Sequence, residues 1–159
     1  MTTIRIHIPA LLVAGLSFGA AYAQEHMVNE MIVDVCVLQT AKGETDPDCI
    51  GVAAGACQTA TQSGSTTPGI SACLMSENAV WDRLLNQEYQ ANRKAFADTP
   101  GMTEKLQAAQ RAWVAMRDAD CEIAYDRYGG GSMRTIASAA CQMNHTARRA
   151  LQLRDMREY

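Results

Sequence analysis

Six cysteines, at Cys36, Cys49, Cys57, Cys73, Cys121 and Cys141, limit what this chain can become. All lie downstream of a segment built like an export signal. Arg5 gives a short basic start, Ile8 to Ala20 is an apolar run, and Ala21-Tyr22-Ala23 supplies a small-x-small cleavage pattern. An even number of cysteines in a short exported chain reads as three disulfides formed in an oxidising compartment. The apolar run is shorter than the ~20 residues of a membrane-spanning helix and contains Pro9, Gly15 and Gly19. Cleavage near Ala23 is therefore expected, giving a periplasmic or secreted protein that begins at Gln24. No cysteine follows the cleavage site to carry a lipid, and no later segment is apolar enough to span a bilayer. Membrane insertion after cleavage is not expected.

Removing residues 1–23 from 159 leaves 136 residues, the size of one domain and enough to bury ~68% of the unfolded surface. Asp and Glu total 17, against 14 Lys and Arg, or 13 without Arg5, so the mature chain carries four excess acids. That balance argues against nucleic acid and anionic membrane as partners and suits a basic protein. It is also ordinary for solubility.

The pattern is helical almost throughout, with no alternating run that reads as a strand. Met27, Met31, Val35 and Leu38 recur near helical period over Met27 to about Ala41. Gly43 to Pro47 breaks that segment, with Asp46 as an N-cap candidate and Pro47 at a first helical position. A short alanine-rich helix over Asp48 to about Thr61 follows, weakened by Gly51 and Gly55. Gln62 to Gly69 is a loop by composition. A long helix is expected from about Ile70 to Ala97, with Cys73, Glu77, Trp81, Leu84, Leu85, Glu88 and Phe96 near one stripe. Asp98-Thr99-Pro100-Gly101 ends it, and Thr103 can cap the next, which carries Leu106, Gln110, Trp113, Arg117, Cys121, Ala124 and Tyr128. The short connection makes these two helices antiparallel neighbours, setting Arg117 level with Asp82 and Trp113 level with Leu85. Gly129-Gly130-Gly131 stops the second, and Ser132 caps a last helix to about Arg157, with Ile136, Ala140, Cys141, Asn144, Leu151 and Met156 inward. The expected fold is all-α: a small disulfide-stapled bundle of about four to five helices with two long antiparallel central helices.

Six cysteines allow 15 pairings, but the turns favour one set. Cys36 and Cys49 flank the turn at Pro47, Cys57 and Cys73 flank the Ser/Gly/Thr loop, and Cys121 and Cys141 flank the triple glycine. Sequential pairing, Cys36–Cys49, Cys57–Cys73 and Cys121–Cys141, would staple three hairpins, each worth about 3 kcal/mol in the chain-entropy account.

A connected series then stands out: Cys73-Leu-Met-Ser-Glu77, Trp81-Asp82-x-x-Leu85-Asn86-x-x-Tyr89, Ala109-Gln110-Arg111-Ala112-Trp113 and Arg117-Asp118-x-x-Cys121. It continues through Gly130-Gly131-Ser132, Cys141 and Thr146-x-x-Arg149. Each fragment alone is weak; together they resemble the lysozyme inhibitor LprI-like (N-terminal domain) family of exported bacterial proteins, over roughly residues 57–153. The resemblance implies a small, helical, disulfide-bonded protein whose partner is another protein, such as a lysozyme. Membrane tethering does not carry over, because the acylatable cysteine of the namesake lipoprotein is missing. The resemblance divides the chain into a signal at 1–23, a helical extension at 24–56 holding Cys36 and Cys49, and an LprI-like domain at 57–159.

Single residues can be weighed against that frame. Arg117 shares a stripe with Trp113 and Cys121, so a structural ion pair with Asp82 is expected, with Glu77 and Asp120 as rivals. Trp81, Leu85 and Trp113 read as core anchors more readily than as a binding face. His26 and His145 are the only histidines beyond residue 23. Cys141 and His145 share helical spacing, but a disulfide at Cys141 removes both metal ligation and thiol chemistry. No Ser-His-Asp set and no Cys-x-x-Cys redox motif occurs, and the methionines suit core filling. The chain is therefore expected to have no enzymatic activity, no metal and no cofactor. Asn144-His145-Thr146 fits a glycosylation sequon but falls mid-helix, and the carboxylate pairs read as solvated faces. The loop Tyr128-Gly129-Gly130-Gly131-Ser132 is either a plain helix stop or a partner-binding loop with an aromatic anchor. Two functions remain: a soluble protein that blocks a lysozyme cleft with a loop on a rigid scaffold, or an envelope structural or adaptor protein with the same scaffold and a different partner. Ser63 to Thr67 is a second candidate loop. Oligomeric state is not encoded in any readable pattern.

Overall fold

Proline and glycine punctuation divides residues 26–157, which the computed structural model describes, into five α-helices without strands. They are α1 (Glu30–Gln39), α2 (Val52–Ala60), α3 (Thr67–Ala95), α4 (Met102–Asp126) and α5 (Met133–Arg157), with a 3-10 turn at Ser63–Ser65. The architecture is all-α. The expected signal and its cleavage site at Ala23 lie outside the described residues.

Several starts differ from expectation by about a turn. Asn29 caps α1 by accepting the Met31 N–H. Asp46 caps nothing; it pairs with Arg148 at 2.8 and 2.9 Å. Thr66, not a residue near Ile70, opens α3: its Oγ1 accepts the Gly69 N–H at 3.2 Å, and Pro68 sits in the first turn. Gly101, in the left-handed region, begins α4, while the Thr103 hydroxyl turns to Glu104. At Gly69 the α3 start meets the preceding turn so closely that a Cβ would lie 1.9 Å from the Ser63 carbonyl oxygen.

Disulfides join Cys36 to Cys49, Cys57 to Cys73 and Cys121 to Cys141, with Cα separations of 5.6, 5.7 and 5.5 Å. Each closes one turn. Cys57, where the LprI-like region was expected to begin, lies inside α2.

The packing of the long helices corrects the expected order. α3 and α4 barely touch; α5 takes the central place, packed on both. Ser71 meets Thr135, and the Asn92 side chain donates to the Leu153 carbonyl at 2.6 Å. The offsets, 64 and 61 residues, run the same way, so α3 and α5 are parallel. Cys121–Cys141 and the Gln110–Arg149 hydrogen bond make α4 and α5 the antiparallel pair. The cause is the width of each apolar face. α4 buries only Leu106 and Cys121, enough to lie on one neighbour. α5 buries Ala139, Met143, Ala147, Ala150, Leu151 and Leu153, a broad arc whose alanines let two helices approach. Trp81 and Leu85 are buried in this core.

One side chain ties α2 to α3. Gly51, at φ +92°, begins α2 without a side-chain cap of its own. The fully buried Glu77 of α3 supplies it: Oε1 accepts the Gly51 N–H at 2.8 Å and Oε2 the Ala54 N–H at 2.7 Å. Trp81 donates its indole N–H to the same Oε1 at 3.0 Å. A carboxylate at a helix N-terminus meets both the orphan donors and the positive end of the dipole.

Glu77→Ala would leave three donors unanswered, the buried Ala54 N–H and Trp81 indole N–H and the part-buried Gly51 N–H, at ~1–3 kcal/mol for each buried one. Urea unfolding should show a loss of about 3 kcal/mol or more, and less for Glu77→Gln, which keeps one acceptor oxygen. A loss under ~1 kcal/mol would remove Glu77 from this role.

Candidate functional site

Two surfaces gather the residues singled out from sequence. The first is the α4–α5 hairpin tip. α4 ends at Asp126 and Gly129 takes φ +55°, with turn hydrogen bonds from Gly129 N–H to Asp126 O at 2.9 Å and from Gly131 N–H to Tyr128 O at 3.0 Å. Tyr128, Gly129, Gly130, Gly131 and Ser132 are all exposed. The Cys121–Cys141 bond holds both helices just behind them. Arg134 lies over the Tyr125 ring at 4.8 Å and the exposed Arg127 over the Tyr128 ring at 5.5 Å. Ile123 and Met133 add exposed apolar surface beside the loop. The tip is therefore an aromatic and cationic knob with apolar flanks on a stapled base.

Behind it, Asp118, Glu122 and Asp126 follow one another at four-residue spacing along α4. They line a shallow cleft of about 390 Å³ against Ser138 and Gln142 of α5. That spacing is visible in the sequence, where the carboxylates read only as a solvated face.

The second surface is a groove of about 420 Å³ left where α3 and α4 diverge, lined by Asp82, Asn86 and Tyr89 on one side and Gln110, Trp113 and Arg117 on the other. The expected Asp82–Arg117 ion pair is not formed. Arg117 donates to its neighbour Asp118 at 2.9 and 2.8 Å, and Asp82 accepts from Asn86 at 3.0 Å. With α3 and α4 splayed, a carboxylate on the same helix wins over one across the groove. Glu77 is taken by α2, and Asp120 lies 3.3 Å from His145 Nε2, so neither rival holds Arg117. Trp113 is half-buried rather than a central anchor. Two guanidinium groups approach its ring, Arg117 at 5.1 Å and Arg149 at 6.0 Å.

Arg149 closes the sequence series as part of Thr146-x-x-Arg149, where it carries no assigned role. Its Nε donates to Gln110 Oε1 at 3.0 Å, and it has no carboxylate partner among the described residues. Its Nη2 is buried without an acceptor, and burial lowers its pKa from the ordinary arginine value. Cys121, Cys141 and His145 converge within 4.8 Å, but the two sulfurs are bonded to each other and offer no thiolate.

Comparison with known families decides the kinship. The family described as lysozyme inhibitor LprI matches residues 57–153, more than half of the chain. This chain belongs to the lysozyme inhibitor LprI family. An uncharacterized protein of Rhizobium meliloti (strain 1021) is 35% identical over 80 residues, covering 48% of this chain and 58% of that protein. The alignment thus spans less than two thirds of that relative. No solved structure matches the chain. The LprI region includes the hairpin tip, the acidic line and the groove; α1 and the Cys36–Cys49 turn precede it. Three disulfides and LprI membership indicate an extracellular or periplasmic protein. No helix of the described residues is long and apolar enough to cross a membrane.

A double-mutant cycle between Asp82 and Arg117 should return a coupling below ~0.3 kcal/mol, since the two groups are not paired. Arg149→Met should leave the urea midpoint unchanged or raise it, because an incompletely satisfied guanidinium is replaced by apolar volume. A midpoint lowered by more than ~1 kcal/mol equivalent would make the Trp113 contact a net stabiliser.

Proposed function

We propose that this protein, exported after cleavage near Ala23 and free of catalytic turnover, binds lysozyme and occupies its substrate cleft with the α4–α5 tip. The observation that carries this reading is an exposed Tyr128–Ser132 tip on a disulfide-closed hairpin inside the LprI-matched region, with Arg127 at its edge. A lysozyme cleft is a carbohydrate groove holding two carboxylates. Against it, Tyr128 offers a flat ring of the kind that stacks on sugars and aromatic walls, and Arg127 a guanidinium for a carboxylate. The acidic line Asp118, Glu122 and Asp126 lies outside the cleft in this arrangement and faces the basic body of the enzyme, speeding approach. The disulfide base keeps the tip pre-formed, which lowers the ordering cost of binding.

The adaptor reading shares the scaffold and has one observation in its favour, an apolar face on α1 that no part of the described chain covers.

Oxidised protein starting at Gln24 should inhibit a basic c-type lysozyme stoichiometrically, assayed by clearing of cell-wall suspensions. Tyr128→Ala and Arg127→Glu should each weaken inhibition by about 10-fold or more without changing the melting temperature. Failure of the wild-type protein against both animal-type and bacterial lysozymes would sink the proposal.

A further inference from the structure

The stripe Met27, Met31, Val35 and Leu38, which recurs near helical period in the sequence, points outward. These side chains are 62%, 68%, 42% and 84% exposed, whereas the buried side of α1 is Val33 and Cys36. The inversion is built in by ties that do not use the stripe. Val28 N–H donates to Ser76 Oγ at 3.0 Å, Glu30 pairs with Arg83 at 2.7 Å, and Cys36 is bonded to Cys49. At the other end, Arg154 donates to the carbonyls of Val37, Thr40 and Ala41, satisfying the orphan acceptors of the α1 C-terminus. Asp155 accepts from Arg154 and, through its other oxygen, from Gly43 N–H at 2.8 Å. Polar and covalent contacts thus hold α1 on the body while its apolar face stays free.

The free face continues sideways. Between Met27 and Val28 and the Ala72, Met75 and Ala79 side of α3 lies a groove of about 330 Å³ that is mainly apolar, with Met75 itself exposed. Contiguous apolar surface of this kind on a soluble chain marks an interaction site.

Charge selects the occupant. From His26 to Ala41 there is no lysine or arginine, and the acids are Glu30 and Asp34. Arg83 answers Glu30; Asp34 sits beside Met31 and Leu38 on the helix surface with no ion pair among the described residues. A second copy of the chain would set this face against itself, placing Asp34 opposite an equally acidic surface whose nearby cation, Arg83, is already engaged by Glu30. A bilayer is disfavoured in the same way, since interfacial helices flank their apolar face with lysine and arginine. We propose that the outward face of α1 docks a protein whose apolar contact surface is rimmed by lysine or arginine. The contact is of the helix-in-groove kind, with Met31, Val35 and Leu38 as anchors and Asp34 selecting the cationic rim. The site is separate from the α4–α5 tip and does not depend on lysozyme being the partner there.

The probe is a fluorescein-labelled synthetic amphipathic helix with leucine on one face and lysine on its flanks, beside a control with glutamate flanks, titrated with oxidised protein starting at Gln24. The lysine peptide should bind about 10-fold or more tighter than the glutamate peptide. Leu38→Glu and Met31→Glu should each weaken it by about 10-fold or more, and both positions are exposed, so the variants keep the fold. Asp34→Lys should invert the preference, and Tyr128→Ala should leave it unchanged, which separates this test from the inhibition assay. Equal affinity for both peptides, or binding indifferent to Leu38→Glu, would overturn the proposal. So would a dimer in sedimentation that Leu38→Glu dissolves, or co-sedimentation of the wild type with phosphatidylcholine–phosphatidylglycerol vesicles.

Discussion

Glu77 is where the N-terminal third of the protein becomes attached to the rest. α2 is only nine residues long, rich in small side chains, and preceded by a glycine that cannot cap it. A helix that short is marginal by itself in water. It forms because a carboxylate from α3 is already fixed at its first turn, and that carboxylate is fixed because the Trp81 indole one turn further along donates to the same oxygen. Once α2 is anchored, Cys57 stands beside Cys73 and the chain leading from α1 into α2 is confined. Burying a charge is costly, and the cost is met here by three donors arranged around it. The Arg154–Asp155 pair plays the matching part for α1, with one oxygen and several guanidinium donors spent on backbone groups from residues 37 to 43.

This division of labour explains why α5 rather than α4 is central. Only α5 has both a wide apolar arc and polar groups at its C-terminal end that reach the extension. α4 is held chiefly at two points, the Cys121–Cys141 bond and the layer formed by Gln110, Trp113 and Arg149. Between them it is mostly exposed, and away from α5 it opens the groove against α3. The surface exposed in this way is the stretch that carries the Ala109–Trp113 and Arg117–Cys121 motifs.

How legible was this in the sequence? The helices and their breaks were, because Pro100 and the Gly129–Gly131 run interrupt helical backbone, while Pro68 is tolerated only in a first turn, where it marks a start. The cysteine pairs that flank each turn are the pairs the structure bonds, since antiparallel helices on either side of a short turn bring flanking residues level. The expected pairing of the two long helices failed for a physical reason. A short connection after residue 95 fixes direction but not neighbour, and a third helix with a better apolar arc took the place assigned to α4. Likewise, the period of Met27, Met31, Val35 and Leu38 identifies a face, yet periodicity has no sign. What turned that face outward lies more than 100 residues away, at Arg154 and Asp155, and no local pattern announces it. Glu77 was visible on the Trp81 stripe at helical spacing, but its role depends on Gly51 and Ala54, which enter only through tertiary structure.

The same physics accounts for a chain with two exposed surfaces of opposite character. The tip stands on a hairpin closed by the Cys121–Cys141 bond, which fixes the two helices that the triple glycine joins. An apolar face left exposed on α1 must be kept from turning onto its own core. Hydrophobic burial alone separates the two sides of α1 weakly, since Ile32, Val33 and Val37 also pack on the core, and leaves rotation about the helix axis poorly fixed. Directional bonds can resist that rotation, because a disulfide and a set of carbonyl–guanidinium contacts specify an angle about the helix axis, whereas apolar contact specifies only proximity. The extension that precedes the LprI region is thus orientated by polar and covalent chemistry. Its exposed face is a consequence of how α1 is tied down, in the same way that the tip follows from how α4 and α5 are joined.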